Sequence, residues 1–218
     1  MAQGVIYPHE IKSILKVYNT LIDIKLNRNR MPKVNDRDKL NQLAARISFG
    51  DEQALEKMID LLSDRLNRYL IRIGVDRASI DDVLQNTYLK AYVNINSFNA
   101  KKGDFTNWIY RITHNEAINH MKKTKYVIPD TEEWAETIES EMSQAIDTEN
   151  KLKREAINEA ITSIDMKYRD PLILNLIEGK SYQDISFILK MPVSTVGTRI
   201  KRAKSQLQKK LSSWKEDG

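Results

Sequence analysis

One short stretch of the chain combines several chemistries. Residues 102–123 read KGDFTNWIYRITHNEAINHMKK. Trp108 and Tyr110 offer rings, Asn115 and Asn119 offer amides, and Arg111, Lys122 and Lys123 offer positive charge, with His114 beside them. Together they can stack, hydrogen-bond and bind anions on one element. A merely solvated helix face more often carries Glu and Lys pairs. The same stretch must also pack, and Phe105, Ile109, Ile112 and Ile118 fall at helical spacing along one expected buried face. Trp108 fits either role, a stacking ring or a core residue. His114 and His120 lie six residues apart on a helix with no third ligand near, so no metal site is expected there.

A second constellation lies toward the C-terminus, SYQDISFILKMPVSTVGTRIKRAKSQLQKK, residues 181–210. Ser181 can cap a short helix whose Ile185 and Leu189 face inward, and small Ser186 allows a second helix to cross closely. Met191 and Pro192 form the turn. Ser194 or Thr195 starts the next helix, with Val196, Ile200, Ala203 and Leu207 at inward spacing. Ser194, Thr195, Thr198, Arg199, Lys201 and Arg202 are left as the outward, DNA-facing set. From residue 199 to 210 there are six cations and no acid. An α-helix fits the major groove, where Arg binds guanine bidentately while hydroxyls and Lys hold phosphates. A helical hairpin with a solvated basic face fits the same spacing. Gly197 lies inside the second helix, where glycine costs about 1 kcal/mol.

The elements that must position these residues are helical. Gly and Pro are scarce, 7 and 5 in 218 residues, and apolar residues recur at three-to-four spacing. Hydrophobic content of 41% supports real cores. Asp51 can cap a helix with the apolar face Leu55, Met58, Ile59, Leu62, Leu66, Tyr69 and Ile73, ending at Gly74. Ser79 and Asp82 resemble a capping box opening a helix through Val83, Leu84, Tyr88 and Ala91. Further helices are expected over residues 11–26, 152–164 and 168–178. Cysteine is absent, which excludes disulfides and thiolate chemistry. No apolar run approaches the roughly 20 residues that span a bilayer, and no signal peptide is evident, so a cytosolic protein without membrane insertion is expected. No phosphate-cradling glycine loop, metal cluster or oriented nucleophile argues for an enzyme or a cofactor.

Charge divides the chain more sharply than its total of +5 suggests. Lys and Arg outnumber Asp and Glu by 9 to 4 over residues 1–50, 12 to 10 over 51–126 and 14 to 8 over 151–218, whereas residues 127–150 hold eight acids and no cation. Basic segments of this kind suit a polyanion. The acidic block cannot easily pack as a core and reads as a linker.

Three motifs in this order resemble bacterial RNA polymerase sigma factors of the extracytoplasmic-function type. They are DDVLQNTYLKAY (81–92), SFNAKKGDFTNWIYRITHNEAINHMKK (97–123) and SYQDISFILKMPVSTVGTRIKRAKSQL (181–207). The resemblance covers about two thirds of the chain. It implies an all-α protein with an extension over 1–35, sigma domain two over 36–126, an acidic linker over 127–150 and helix-turn-helix sigma domain four over 151–218. It further implies a subunit that binds core polymerase, through the clamp helices of the largest subunit and the flap of the second-largest, and then recognises and melts promoter DNA. Trp108, Tyr110, Arg111, His114, Asn115, Asn119 and Lys122 would meet the minus-ten element, where strand opening exposes bases to stacking and amide contacts. The loop over residues 99–104 matches one that captures a flipped base. Ser194, Thr195, Thr198, Arg199, Lys201 and Arg202 would meet the minus-thirty-five element. Asp82, Gln85 and Asn86 would contact basic clamp residues. An inhibitory anti-sigma protein is a further partner the resemblance implies. Two departures bear on the minus-thirty-five contacts: Lys190 stands where the family has a turn glycine, and Gly197 where a polar or basic residue is usual. A helix-turn-helix regulator acting without stable association with core polymerase would explain the third motif but leave the second idle.

The acidic block yields a test. Its carboxylates repel one another and share the charge sign of RNA, which suits them to a basic polymerase channel, the route this linker takes in the family. Replacing the acids with Gln and Ser at constant length should lower affinity for core polymerase, with the loss shrinking at high salt, and should change abortive-product patterns. Unchanged affinity and abortive synthesis at low salt would reduce the segment to a tether.

Overall fold

The computed structural model describes residues 37–101, 103–124 and 161–216. The described residues form helices without strands: α1 (Arg37–Ser48), α2 (Glu52–Ile73), α3 (Arg77–Val93), a 3-10 turn (Ile95–Ser97), α4 (Phe105–Lys123), α5 (Met166–Leu176), α6 (Tyr182–Leu189) and α7 (Val193–Glu216). The expected helix over 11–26, the acidic block and most of the helix expected over 152–164 lie outside the described residues. Contacts gather the rest into two compact units. One takes the residues up to Asn67 with Asp81–Glu116; the other takes Arg68–Ile80 with the residues from Ala117 onward.

In the first unit, Gly50 turns the chain at φ +83° and Asp51 caps α2, accepting the Ala54 amide at 3.0 Å. The apolar stripe of α2 is buried along its whole length, from Leu55 to Ile73 as its spacing dictates. Val83, Leu84, Tyr88 and Ala91 of α3 are buried as well, and the Tyr88 hydroxyl meets Ser63 Oγ of α2 at 3.1 Å. The cap of α3 differs from expectation. The helix begins at Arg77, two residues before Ser79, because Asp76 accepts the Ser79 amide at 3.0 Å and takes the capping role itself.

The start of α4 is held from two sides. Asp104 Oδ1 accepts the Thr106 amide at 2.9 Å, and Asn41 Oδ1 of α1 accepts the Phe105 amide at 3.0 Å. Both amides would otherwise be orphan donors at a helix start. The buried stripe of α4 is rotated from the expected one. Phe105, Ile109, Tyr110, Thr113, Ala117 and Met121 are buried, while Ile112 and Ile118 are only half-buried.

In the second unit Gly74 ends α2 at φ +101°. The carbonyl of Ile73, orphaned there, accepts Arg169 Nη2 at 3.0 Å, and Arg169 Nη1 reaches the Thr162 carbonyl at 3.0 Å. Beside it, Arg72 and Glu178 form an ion pair at 3.2 Å, their side chains 2% and 4% exposed. α5 starts at Met166 with Asp165 as its cap, and Ile161 and Thr162 close the helical segment before it. α6 opens on a full capping box, the Ser181 hydroxyl accepting from the Asp184 amide at 3.1 Å while Asp184 Oδ2 accepts from the Ser181 amide at 3.1 Å. Ile185 and Ile188 are its buried residues; Leu189, expected inward, is half-buried. The turn into α7 places Lys190 in the left-handed region at φ 51°, ψ 48°. α7 begins at Val193, just before the expected Ser194 or Thr195, with Pro192 accepting the Val196 amide at 3.1 Å. It runs unbroken through Gly197.

The buried Arg72–Glu178 pair generates a stability prediction. Removing one partner strands a charge away from water, so Glu178→Leu should cost about 3–5 kcal/mol in urea unfolding. Adding Arg72→Met should recover most of that loss, since an apolar pair of similar volume replaces an ion pair at little net cost. A double variant as unstable as the single would contradict it.

Candidate nucleic-acid interface

The outward face of α4 follows from its buried one. Trp108, Arg111, Asn115, Asn119 and Lys122 are spaced three or four residues apart and so lie along one stripe of the helix. Asn119 and Lys122 are exposed, and Trp108, Arg111 and Asn115 are half-buried. Trp108 takes the packing role its sequence context allowed. Its ring packs at 5.8 Å from Phe98 and 5.4 Å from Phe105, while Phe98 and Phe105 meet edge to face at 5.1 Å. Two rings thus brace the indole, which is half-buried.

Tyr110 and His114, both expected on this face, are not part of it. Tyr110 is fully buried, with the Arg65 guanidinium 5.6 Å from its ring centre, so it belongs to the core beneath the stripe. His114 lies off the stripe by spacing, and burial pushes its imidazole down to about 4. It is neutral near pH 7 and supplies no cation for a phosphate.

On α3, Asp82 and Asn86 are exposed and Gln85 is half-buried, all on neighbouring turns of one face. The Asn86 amide donates to the Asp82 carbonyl at 2.9 Å, which fixes its orientation while its own oxygen stays outward.

The six expected residues of α7 share one broad face. Ser194, Thr198, Lys201 and Arg202 are exposed, and Thr195 and Arg199 half-buried. Val196, Ile200 and Ala203 on the opposite side are buried, as their spacing requires. Thr198 donates its hydroxyl proton to the Ser194 carbonyl at 2.9 Å, so only its oxygen lone pairs face outward. A side chain at Gly197 would stand 3.5 Å from the Tyr182 ring, ordinary contact, so glycine there is not forced by crowding.

Two residues that periodicity could not nominate join this face. Lys167 and Tyr168, on the first turn of α5, line a groove with five of the α7 residues. Arg199 Nη1 reaches the Lys167 carbonyl at 3.4 Å and Arg202 Nη1 reaches the Tyr168 hydroxyl at 3.4 Å. The Lys167 carbonyl is free for this because Pro171, four residues on, has no N–H to donate to it. The only advance signal was that proline, six residues into a helix.

Beneath the groove Asp170 is buried, and Oδ1 has no hydrogen-bond partner. Desolvation pushes its carboxyl up from 3.8 to about 7, against the pull of Arg169 and Arg199. Among the described residues no His, Cys, Asp and Glu cluster could hold a metal, and no helix is long and apolar enough to cross a membrane.

Comparison with known proteins places two segments of the chain in known families. The family described as Sigma-70 region 2 matches residues 58–126, and Sigma-70, region 4 matches residues 154–207. The ECF RNA polymerase sigma factor SigW of Bacillus subtilis is 31% identical over 177 residues, covering 76% of this chain and 92% of that protein. The RNA polymerase sigma-H factor of Pseudomonas aeruginosa is 29% identical over 179 residues, covering 78% and 92%. The fold resembles CnrH, solved in complex with the cytosolic domain of CnrY, at TM-score 0.60 and 20% identity over 81% of this chain and 99% of that one. It also resembles the sigma factor RpoE of Bartonella quintana, solved with the anti-sigma factor NepR, at TM-score 0.55 and 20% identity over 72% and 96%.

Asp170 gives a pH prediction. Its folded value lies above the unfolded one, so the unfolded chain releases the proton first. Its contribution is neutral below pH 3.8, turns increasingly unfavourable as pH rises to about 7, and is constant above. Asp170→Asn removes this titration, so its stability relative to the parent should climb between pH 4 and 7, as read from urea midpoints. A pH-independent difference would contradict it.

Proposed function

Because the chain belongs to the extracytoplasmic-function sigma factors of bacterial RNA polymerase, we propose that it docks on core polymerase, recognises minus-ten and minus-thirty-five promoter elements, and opens the duplex at the first. The observation that carries this reading is the stripe of α4. An indole braced by Phe98 and Phe105 stands in line with Arg111, Asn115, Asn119 and Lys122. An unstacked base needs a ring to replace its lost neighbour and an amide to meet its edge, with cations for the flanking phosphates. Residues 36–126 act as domain two in this reading and 151–218 as domain four.

The remaining parts take their places from their chemistry. The cations and hydroxyls of α7 meet the minus-thirty-five major groove, Arg199 and Arg202 as base readers, Ser194, Thr195 and Lys201 as backbone contacts, and Thr198 as an acceptor for a base-edge amino group. Asp82, Gln85 and Asn86 form a polar, acidic patch for the basic clamp helices of the largest subunit, and domain four engages the flap of the second-largest. The protein works in the cytoplasm, without catalysis of its own. Regulation by an anti-sigma protein is supported by the two solved fold relatives, each a complex with a partner.

Reconstituted holoenzyme tests this directly. Trp108→Ala and Asn115→Ala should co-elute with core polymerase as the parent does, yet lower permanganate reactivity of promoter thymines. Arg199→Ala and Arg202→Ala should lose about 1–3 kcal/mol of discrimination between matched and mutated minus-thirty-five elements. Unchanged thymine reactivity in both α4 variants would overturn the melting role, and stable promoter binding without core polymerase would favour an independent regulator.

A further inference from the structure

We propose that the first turn of α5, outside the helix-turn-helix, is part of the DNA grip: Tyr168 positions Arg202 for base readout while itself holding a backbone phosphate, with Lys167 beside it. This rests on the reading of α7 as the DNA-reading helix.

The groove between α5 and α7 has a volume of about 310 Å³ and is lined by three cations, Lys167, Arg199 and Arg202, and by the hydroxyls of Tyr168, Ser194, Thr195 and Thr198. No carboxylate lines it. The acids nearest in sequence are turned to other work. Asp165 caps α5 through the Lys167 amide and pairs with Lys167 Nζ at 3.0 Å, and Asp170 is buried beneath. Cations and hydroxyls without a lining acid are the chemistry of a phosphodiester, and α7 beside the groove supplies the base-reading side chains.

Donor accounting singles out Tyr168. In its bond with Arg202 the arginine N–H donates, so the phenol spends a lone pair and keeps its own proton. That proton is left for an incoming acceptor oxygen, toward which Lys167, Arg199, Arg202 and the hydroxyls of Ser194 and Thr195 in the same lining can also donate. Arg202 still has four N–H groups for a guanine edge. Lys167 lies with its ammonium 4.9 Å from the Tyr168 ring centre, adding charge next to the hydroxyl. The 3.4 Å separation of Tyr168 and Arg202 is at the long end for a hydrogen bond, as suits a contact that tightens when a phosphate pulls both groups inward. Tyr168 thereby ties the register of the backbone to the reach of one base-reading arginine.

The test uses full-length protein in holoenzyme, with promoter duplexes matched or substituted at each minus-thirty-five position. Tyr168→Phe keeps the ring and removes only the hydroxyl. It should weaken binding to the matched duplex about three- to tenfold and reduce discrimination at the same base pair as Arg202→Ala. The losses from Tyr168→Phe and Arg202→Ala should be less than additive in the double variant. Lys167→Ala should weaken all duplexes alike and lower the salt slope by about one. Wild-type binding by Tyr168→Phe, or a loss that adds in full to that of Arg202→Ala, overturns the proposal while leaving the role of α7 standing. Wild-type binding by Arg199→Ala and Arg202→Ala on every duplex overturns the α7 reading, and this inference with it.

Discussion

The second unit is organised around a cation without access to solvent. Arg169 is the bulkiest fully buried side chain, 1% exposed, and its two terminal nitrogens close two different helix ends, the Ile73 carbonyl of α2 and the Thr162 carbonyl. A helix C-terminus presents unpaired carbonyls and partial negative charge, and a buried guanidinium satisfies both at once. Everything on α5 inherits its orientation from this clamp. With Arg169 turned inward, Lys167 and Tyr168, two and one residues earlier, are carried round to the α7 side. Pro171 then releases the Lys167 carbonyl toward Arg199. A hidden ionic constraint and a surface of exposed cations are in this way parts of one helix.

The two candidate DNA surfaces are stiffened by different means. On α4, rigidity comes from ring packing: Phe98 and Phe105 fix the indole of Trp108 against a helix whose start is doubly capped. On α7, it comes from hydrogen bonds that anchor long arginines to a neighbouring helix, reducing the rotamer freedom each would lose on binding. The first strategy suits a flat, apolar contact such as stacking. The second suits directional contacts, where a fork of N–H groups must arrive at a set angle.

How much of this could be read in advance depended on whether the governing interaction is local. The α2 stripe, the Asp51 cap and the Ser181 cap follow from near neighbours in sequence, and all three stand where spacing put them. The family's motifs carried the rest of the plan, including the helix-turn-helix. Misreadings arose where tertiary contact outvoted local pattern. Asp76 outcompeted Ser79 because it lies one turn earlier at a point where α2 had already ended. Tyr110 reads as a surface ring on polarity, yet α4 rotates to bury it and leaves Ile112 and Ile118 at the margin. The burial of Arg72 and Arg169 had no local signal, since a guanidinium is rarely buried unless a partner waits, and the partners that bring them in lie 106 and 96 residues away in sequence. Lys167 and Tyr168 escaped notice for the same reason.

The turn between α6 and α7 depends on the helix that precedes it. Lys190 holds φ 51°, a region that a residue with a Cβ enters at a cost of about 1–2 kcal/mol. Nothing in its own sequence favours that conformation, and the bonds that stabilise it come from Ser186, whose carbonyl accepts the Lys190 and Met191 amides and whose hydroxyl donates to the Met191 carbonyl at 2.6 Å. Ser186 makes those bonds only when α6 is already helical. The turn is therefore coupled to α6 and through it to the capping box, and its left-handed residue is held only while the helix before it is intact. α7 thus starts from a turn that a neighbouring helix holds in place, and a change at the far end of α6 reaches it without touching α7 itself.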